Sequence, residues 1–111
     1  KWTLSDANIT GPDVASTATF TKGTALEIPV DLGKADLAAK KVTVTTTSVD
    51  TTDETTGTYA NNTSVTYANG KITIAGTAWA KATAASTRYI KVVFNDKAKT
   101  TKYIAVTINN A

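Results

Sequence analysis

Arg88-Tyr-Ile-Lys-Val-Val-Phe-Asn95 and Lys102-Tyr-Ile-Ala-Val-Thr-Ile-Asn109, near the end of the chain, decide its fold. Ile90, Val92 and Phe94 occupy alternate places in the first stretch, as Ile104, Val106 and Ile108 do in the second. Side chains in a strand point to opposite faces in turn, so each stretch reads as a strand with one buried face. Asn95–Thr101 lies between them, carrying Asn95, Asp96, Lys97 and Lys99 and no apolar side chain larger than Ala98. That composition marks the turn of a β-hairpin. If Ile90 and Ile104 point inward, Tyr89, Lys91 and Tyr103 point outward, close together on paired strands.

The same alternation extends upstream. Asn69-Gly70 separates Val65–Ala68 from Lys71–Ile74, and both turn residues tolerate the positive φ that a two-residue hairpin requires. Lys22-Gly23 makes a tight turn into Thr24–Leu32, where Leu26, Ile28, Val30 and Leu32 share a face. Pro29 lacks a ladder donor, which predicts an edge strand or a bulge there. Ala15–Thr21 and Lys41–Val49 read as further strands, the second with Val42 and Val44 inward. Trp2–Ile9 reads as a short first strand ending at the Gly11-Pro12-Asp13 turn. Gly33–Lys40 and the Ala-rich Gly76–Ser86 are each too short for more than a single helical turn. Trp79, in the latter, is a natural core plug.

These elements predict one all-β domain over residues 1–111: an antiparallel β-sandwich of seven to eight strands, with at most one or two short helical turns. Residues 1–14 form an N-terminal strand or arm and 15–111 the sandwich. The expected core is Phe20, Leu26, Ile28, Val30, Val42, Val44, Val65, Ile72, Ile74, Trp79 and the six apolar residues of the last hairpin.

Composition narrows function by exclusion. The 111 residues contain no Cys and no His. A disulfide framework, a thiolate metal site and the usual His-based nucleophile or general-base constellations are therefore ruled out. No Gly-rich phosphate loop or paired-acid cleft is evident either, so the expectation is a protein that is no enzyme and holds no cofactor or metal. The acidic run Asp50-Thr-Thr-Asp-Glu54 offers oxygen ligands for Ca²⁺ but lacks the spacing and glycine of an EF-hand loop; a solvated loop is the better reading. Asn8, Asn61 and Asn62 open formal glycosylation triplets of the kind a Thr- and Asn-rich chain produces by chance.

The net charge of +3 is unevenly spread. From Lys71 onward Asp96 is the only acid, against Lys71, Lys81, Arg88, Lys91, Lys97, Lys99 and Lys102. Solvated strand faces and loop tips account for most of this. Nucleic acid is a poor partner because Arg is scarce and no basic-aromatic cluster appears. No apolar run approaches the roughly 18 residues needed to span a bilayer as a helix. The chain opens at Lys1 and contains no Met, pointing to processing or excision from something longer. Thr-rich strands and missing oxidisable sulfur lean towards an extracellular, cell-surface or virion-surface setting.

Ala18-Thr-Phe-Thr-Lys-Gly-Thr-Ala-Leu-Glu-Ile-Pro-Val30 resembles the opening of bacterial immunoglobulin-like (Ig-like) modules, and Val65-Thr-Tyr-Ala-Asn-Gly-Lys-Ile-Thr-Ile74 resembles their central hairpin. Trp79–Phe94 is similar to the hydrophilic Ig-like module of clostridial scaffoldins. Bacterial Ig-like group 2 domains are nearly as similar. The resemblance spans residues 15–109 and departs at Asp50–Gly57 and at Lys1–Val14. It implies an Ig-like sandwich that spaces, decorates or adheres, with no catalytic residues to carry over.

Two functions follow as expectations. The first is a structural or adhesion module of a surface layer, phage particle or surface filament, whose partners are copies of itself or neighbouring domains. Trp2 and Leu4, apolar at alternate places, would pack on their own sandwich or on a neighbour's open edge. The second is a carbohydrate- or cell-wall-binding accessory module with Tyr89, Lys91 and Tyr103 as its platform.

Overall fold

A computed structural model describes residues 11–33, 42–50, 59–60 and 63–111. The Trp2–Leu4 arm, the Gly33–Lys40 turn beyond Gly33, Asp53 and Glu54 of the acidic loop, and Asn8, Asn61 and Asn62 lie outside these residues. The described part contains no helix. Its strands are β1 (Asp13–Val14), β2 (Thr17–Thr21), β3 (Leu26–Asp31), β4 (Val44–Asp50), β5 (Tyr59–Ala60), β6 (Val65–Ala68), β7 (Lys71–Ile74), β8 (Thr87–Phe94) and β9 (Thr101–Asn109). Seven of these span four residues or more; β1 and β5 are two-residue pairings.

They form two sheets, ordered β1-β3-β7-β6 and β2-β9-β8-β4-β5. In immunoglobulin lettering these orders read A-B-E-D and A′-G-F-C-C′, so the described residues form an all-β sandwich whose strand order matches that lettering. The last hairpin pairs Ile90 with Ile104, as its alternation requires. Asn69 (φ 54°) and Gly70 (φ 81°) form the turn that closes Ala68 on Lys71. One pairing corrects the antiparallel expectation: β2 runs parallel to β9, from Thr17 opposite Ala105 to Thr21 opposite Asn109. The Lys22-Gly23 turn accordingly carries the chain from one sheet to the other.

The core lies between the inner faces. Phe20, Ile72, Ile74, Ile90, Val92, Phe94, Ile104, Val106 and Ile108 are all fully buried, and Ile28, Val42 and Val65 nearly so. Fully burying each such side chain contributes about 1.5–3 kcal/mol of gross transfer free energy. Leu26, Val30, Val44 and Trp79 are only half-buried at its margin. Val49, Ala78 and Ala82 join the core unanticipated.

Val49 has a clear cause. The β4–β8 register shifts between Val44 (opposite Phe94) and Thr46 (opposite Val93), so one extra residue sits in β4. A bulge of this kind reverses the in/out phase downstream, turning Val49 inward where simple alternation from Val42 would turn it out. The Thr45 hydroxyl donates to the Val93 carbonyl at 3.0 Å beside the bulge.

Pro29 sits in neither a bulge nor a bare edge strand. The Val30 amide donates to the Gly70 carbonyl at 2.9 Å, so even-numbered donors of β3 face β7. Pro29 would donate to the other side, where β1 reaches only Val30 and Asp31. Its missing donor costs nothing there.

Gly76–Ser86 forms three successive four-residue turns in place of a helical turn. Ala78 donates to the Ala75 carbonyl, Ala82 to Trp79 and Ser86 to Thr83, at 2.9, 2.9 and 3.1 Å. Trp79 (φ 51°) and Ala85 (φ 69°) interrupt the run of negative φ that a helix needs.

Candidate functional site: the outer sheet face and the two ends

Because Ile90 and Ile104 face the core, the odd-numbered residues of β8 and β9 make up the outer face of the five-stranded sheet. Lys91 stands directly opposite Tyr103 on one side and Ser48 on the other. Tyr89 stands opposite Ala105, which places the two tyrosines on a diagonal across the hairpin. Tyr103 is 49 % exposed, the one large hydrophobic side chain so exposed among the described residues, while Tyr89 and Lys91 are half-buried. The structure thus brings together the three residues that the hairpin pattern singles out. Tyr67 stands apart, packed against the core from the inner face of the other sheet.

The sequence pattern missed a row of threonines beside this cluster. Thr19 is opposite Thr107, and Thr107 is opposite Thr87, so three hydroxyl-bearing residues align across β2, β9 and β8. The spacing in Thr17–Thr21 was readable, but its parallel partner lies more than eighty residues away and has no local signal. The other sheet differs in chemistry. Its outer face carries Glu27, Asp31 and Lys71, with Lys71 Nζ 3.1 Å from Glu27 Oε2. Both partners are well exposed, which limits such a pair to less than about 1 kcal/mol.

The parallel β2–β9 pairing also fixes the ends. Lys102 Nζ lies 3.6 Å from Asp13 Oδ1, so the chain enters the sandwich beside the start of β9. The Lys22 amide donates to the Asn109 carbonyl at 2.9 Å, so β9 finishes at the opposite end, beside the finish of β2. Gly11 and Ala111 therefore lie at opposite ends of the sandwich.

At the entry end, two links hold the β8–β9 loop. The Thr43 amide donates to Asn95 Oδ1 at 2.6 Å, and the Asn95 amide donates to the Thr43 carbonyl at 2.9 Å. Inside the loop, the Thr100 hydroxyl and amide both donate to the Asp96 carboxylate. The hydroxyl bond is the main cause that holds the Asp96 carboxyl below its ordinary range; desolvation, the next largest effect, opposes it, and the amide bonds and the Lys99 charge add to the lowering.

Among the described residues, no group of three or more His, Cys, Asp or Glu side chains could hold a metal ion. Asp50 ends β4 and pairs with Tyr59, while the rest of the acidic run falls outside the described residues. No protein-family model matches the chain, and no curated protein matches it.

Proposed function

We propose that this domain is a non-catalytic structural module of an extracellular assembly, spacing its neighbours along a line in a bacterial surface layer, a phage particle or a surface filament. The observation that carries this reading is the parallel β2–β9 pairing, which puts entry and exit at opposite ends. Force applied between those ends slides β2 along β9, so the bonds between them resist together instead of opening one at a time. The resemblance to bacterial Ig-like modules and the lack of Cys, Met and His support the same reading. Single-molecule extension tests it. Handles on the two chain ends should give a higher rupture force than handles at Gly23 and Ala111, which both lie at the exit end and peel the edge. Equal, low forces from both geometries would refute the reading.

One observation favours a second reading, a carbohydrate- or cell-wall-binding accessory module. The Lys91–Tyr103 cross-strand pair sets an exposed ring beside a cation on an open sheet face. Retention on cellulose, chitin or purified cell wall that is lost in the Tyr89→Ala, Tyr103→Ala double variant supports it, and no retention by the unaltered protein removes it.

A further inference from the structure

The strap Gly76–Ser86 crosses the exit end of the sandwich from β7 to β8. Between Thr77 and Ala84, the backbone–backbone bonds of the described residues reach no farther than Ala75, at the strap's own start. Its ties to the sheets are few. Gly76 accepts from the Gly23 amide at 2.9 Å, Ala85 donates to the Ile108 carbonyl at 2.5 Å, and Ser86 accepts from the Ile108 amide at 2.9 Å. The Trp79 ring meets Phe20 edge-on, with centroids 5.5 Å apart.

Three costs are concentrated in this short segment. Trp79 and Ala85 both hold positive φ, which L side chains avoid. The Trp79 indole Nε1–H is buried with no acceptor among the described residues. An open strap relieves all three, because both residues can return to negative φ and water reaches the indole. Closure is maintained by the ring contact with Phe20 and by burial of Ala78 and Ala82. Each relieved cost shifts the balance towards opening by roughly tenfold. Outliers of this kind point from structure to a device, because they persist only where the surroundings enforce them.

We propose that the Gly76–Ser86 strap is a plug that opens as a unit, drawing Trp79 off Phe20 while both sheets stay folded, with Ile108 as its latch. Ile108 holds the strap through both its amide and its carbonyl, one residue before β9 ends. Anything that loads or displaces the chain after β9 acts on that latch first. The inference goes beyond the spacer reading and stands without it, since opening needs no applied force.

Hydrogen exchange of the intact protein, followed by NMR in rising sub-denaturing urea, tests it. The Ala82 and Ala85 amides and the Trp79 indole should exchange together, nearly independently of urea and about a hundredfold faster than the Ile104 amide. In Ala85→Gly, which removes one cost of closure, strap exchange should slow about twofold, and Ile104 exchange by a similar factor, because both openings release residue 85. Strap amides that exchange in step with Ile104, with the same urea dependence, would overturn the proposal. So would an Ala85→Gly variant in which Ile104 exchange slows and strap exchange does not.

Discussion

The turn at Asn69-Gly70 and the strap from Gly76 to Ser86 both return the chain towards the core, by opposite means. In the turn, local chemistry agrees with geometry: Asn and Gly are the residues that positive φ suits, and the strands on either side pair as the turn directs. In the strap, Trp79 and Ala85 hold the same kind of φ against their preference. They are kept there by distant partners: Phe20, Gly23 and Ile108. A connection whose conformation is set by its own residues can be read one residue at a time. A connection set by tertiary contact cannot, and it should be more sensitive to changes in what it touches than to changes in its own turn residues.

The most direct way to break this comparison is to remove the strap's anchor. Trp79→Ala deletes the ring that meets Phe20 and should cost about 3 kcal/mol, the lower end of the range for large aromatics because Trp79 is half-buried. Urea unfolding monitored by far-ultraviolet circular dichroism would measure it; a cost well below 1 kcal/mol would mean that the strap is not held by its anchor. Next in size is Gly76→Ala. A Cβ at residue 76 would stand 2.8 Å from the Gly23 carbonyl oxygen and 2.9 Å from its carbon, both backbone atoms with no rotamer to yield. Overpacking of this kind should cost about 2 kcal/mol. In the same assay, an unchanged midpoint would show that the two turns do not approach so closely.

The contrast also explains what could be read in advance. The alternating runs of β8 and β9 placed six core residues correctly because period-2 patterning is a property of the strand itself. The same logic put Tyr89, Lys91 and Tyr103 on one outer face and set the Asn69-Gly70 turn. Val49 was hidden because an extra residue in β4 leaves no mark in a run of threonines. The parallel partner of β2, and with it the separation of the ends, depends on residues 105–109 and on nothing local. The approach of Gly76 to Gly23 was equally invisible, since each glycine on its own reads as an ordinary turn residue.

Exchanging turn residues sharpens the comparison with smaller effects of opposite sign. Asn69→Ala places an ordinary side chain at φ 54° and should cost about 1 kcal/mol. Ala85→Gly removes the corresponding penalty at φ 69°, offset in part by the greater freedom of glycine in the unfolded chain, for a net gain of about 0.5 kcal/mol. Thermal melts of the two variants beside the parent would show midpoints displaced in opposite directions. A loss of stability in both would mean that the strap's φ values carry no cost, which would remove the distinction between the two connections.

The β8–β9 loop combines both means, and the smallest effect is expected there. Asn95 ties the loop to Thr43 in another strand's approach, whereas the Asp96 carboxylate accepts from Thr100 within the loop itself. Because the Thr100 hydroxyl holds the Asp96 carboxyl below its ordinary value, the folded state favours the ionised form more than the unfolded chain does. The stability this contributes is complete above the unfolded value of about 3.9 and is lost as pH falls through the lower folded value. Asp96→Asn keeps an oxygen for the Thr100 amide but forfeits the charge, so the variant should melt slightly below the parent at neutral pH. The two melting curves should converge in acid, where the parent's carboxyl is also neutral. Exposure of the loop to solvent keeps the difference small, and it should shrink further in high salt as the Lys99 charge is screened. A gap that stayed constant from pH 7 down to about pH 2 would show that Asp96 acts through shape alone, making this loop a second connection set by its tie to Thr43 and not by its own residues.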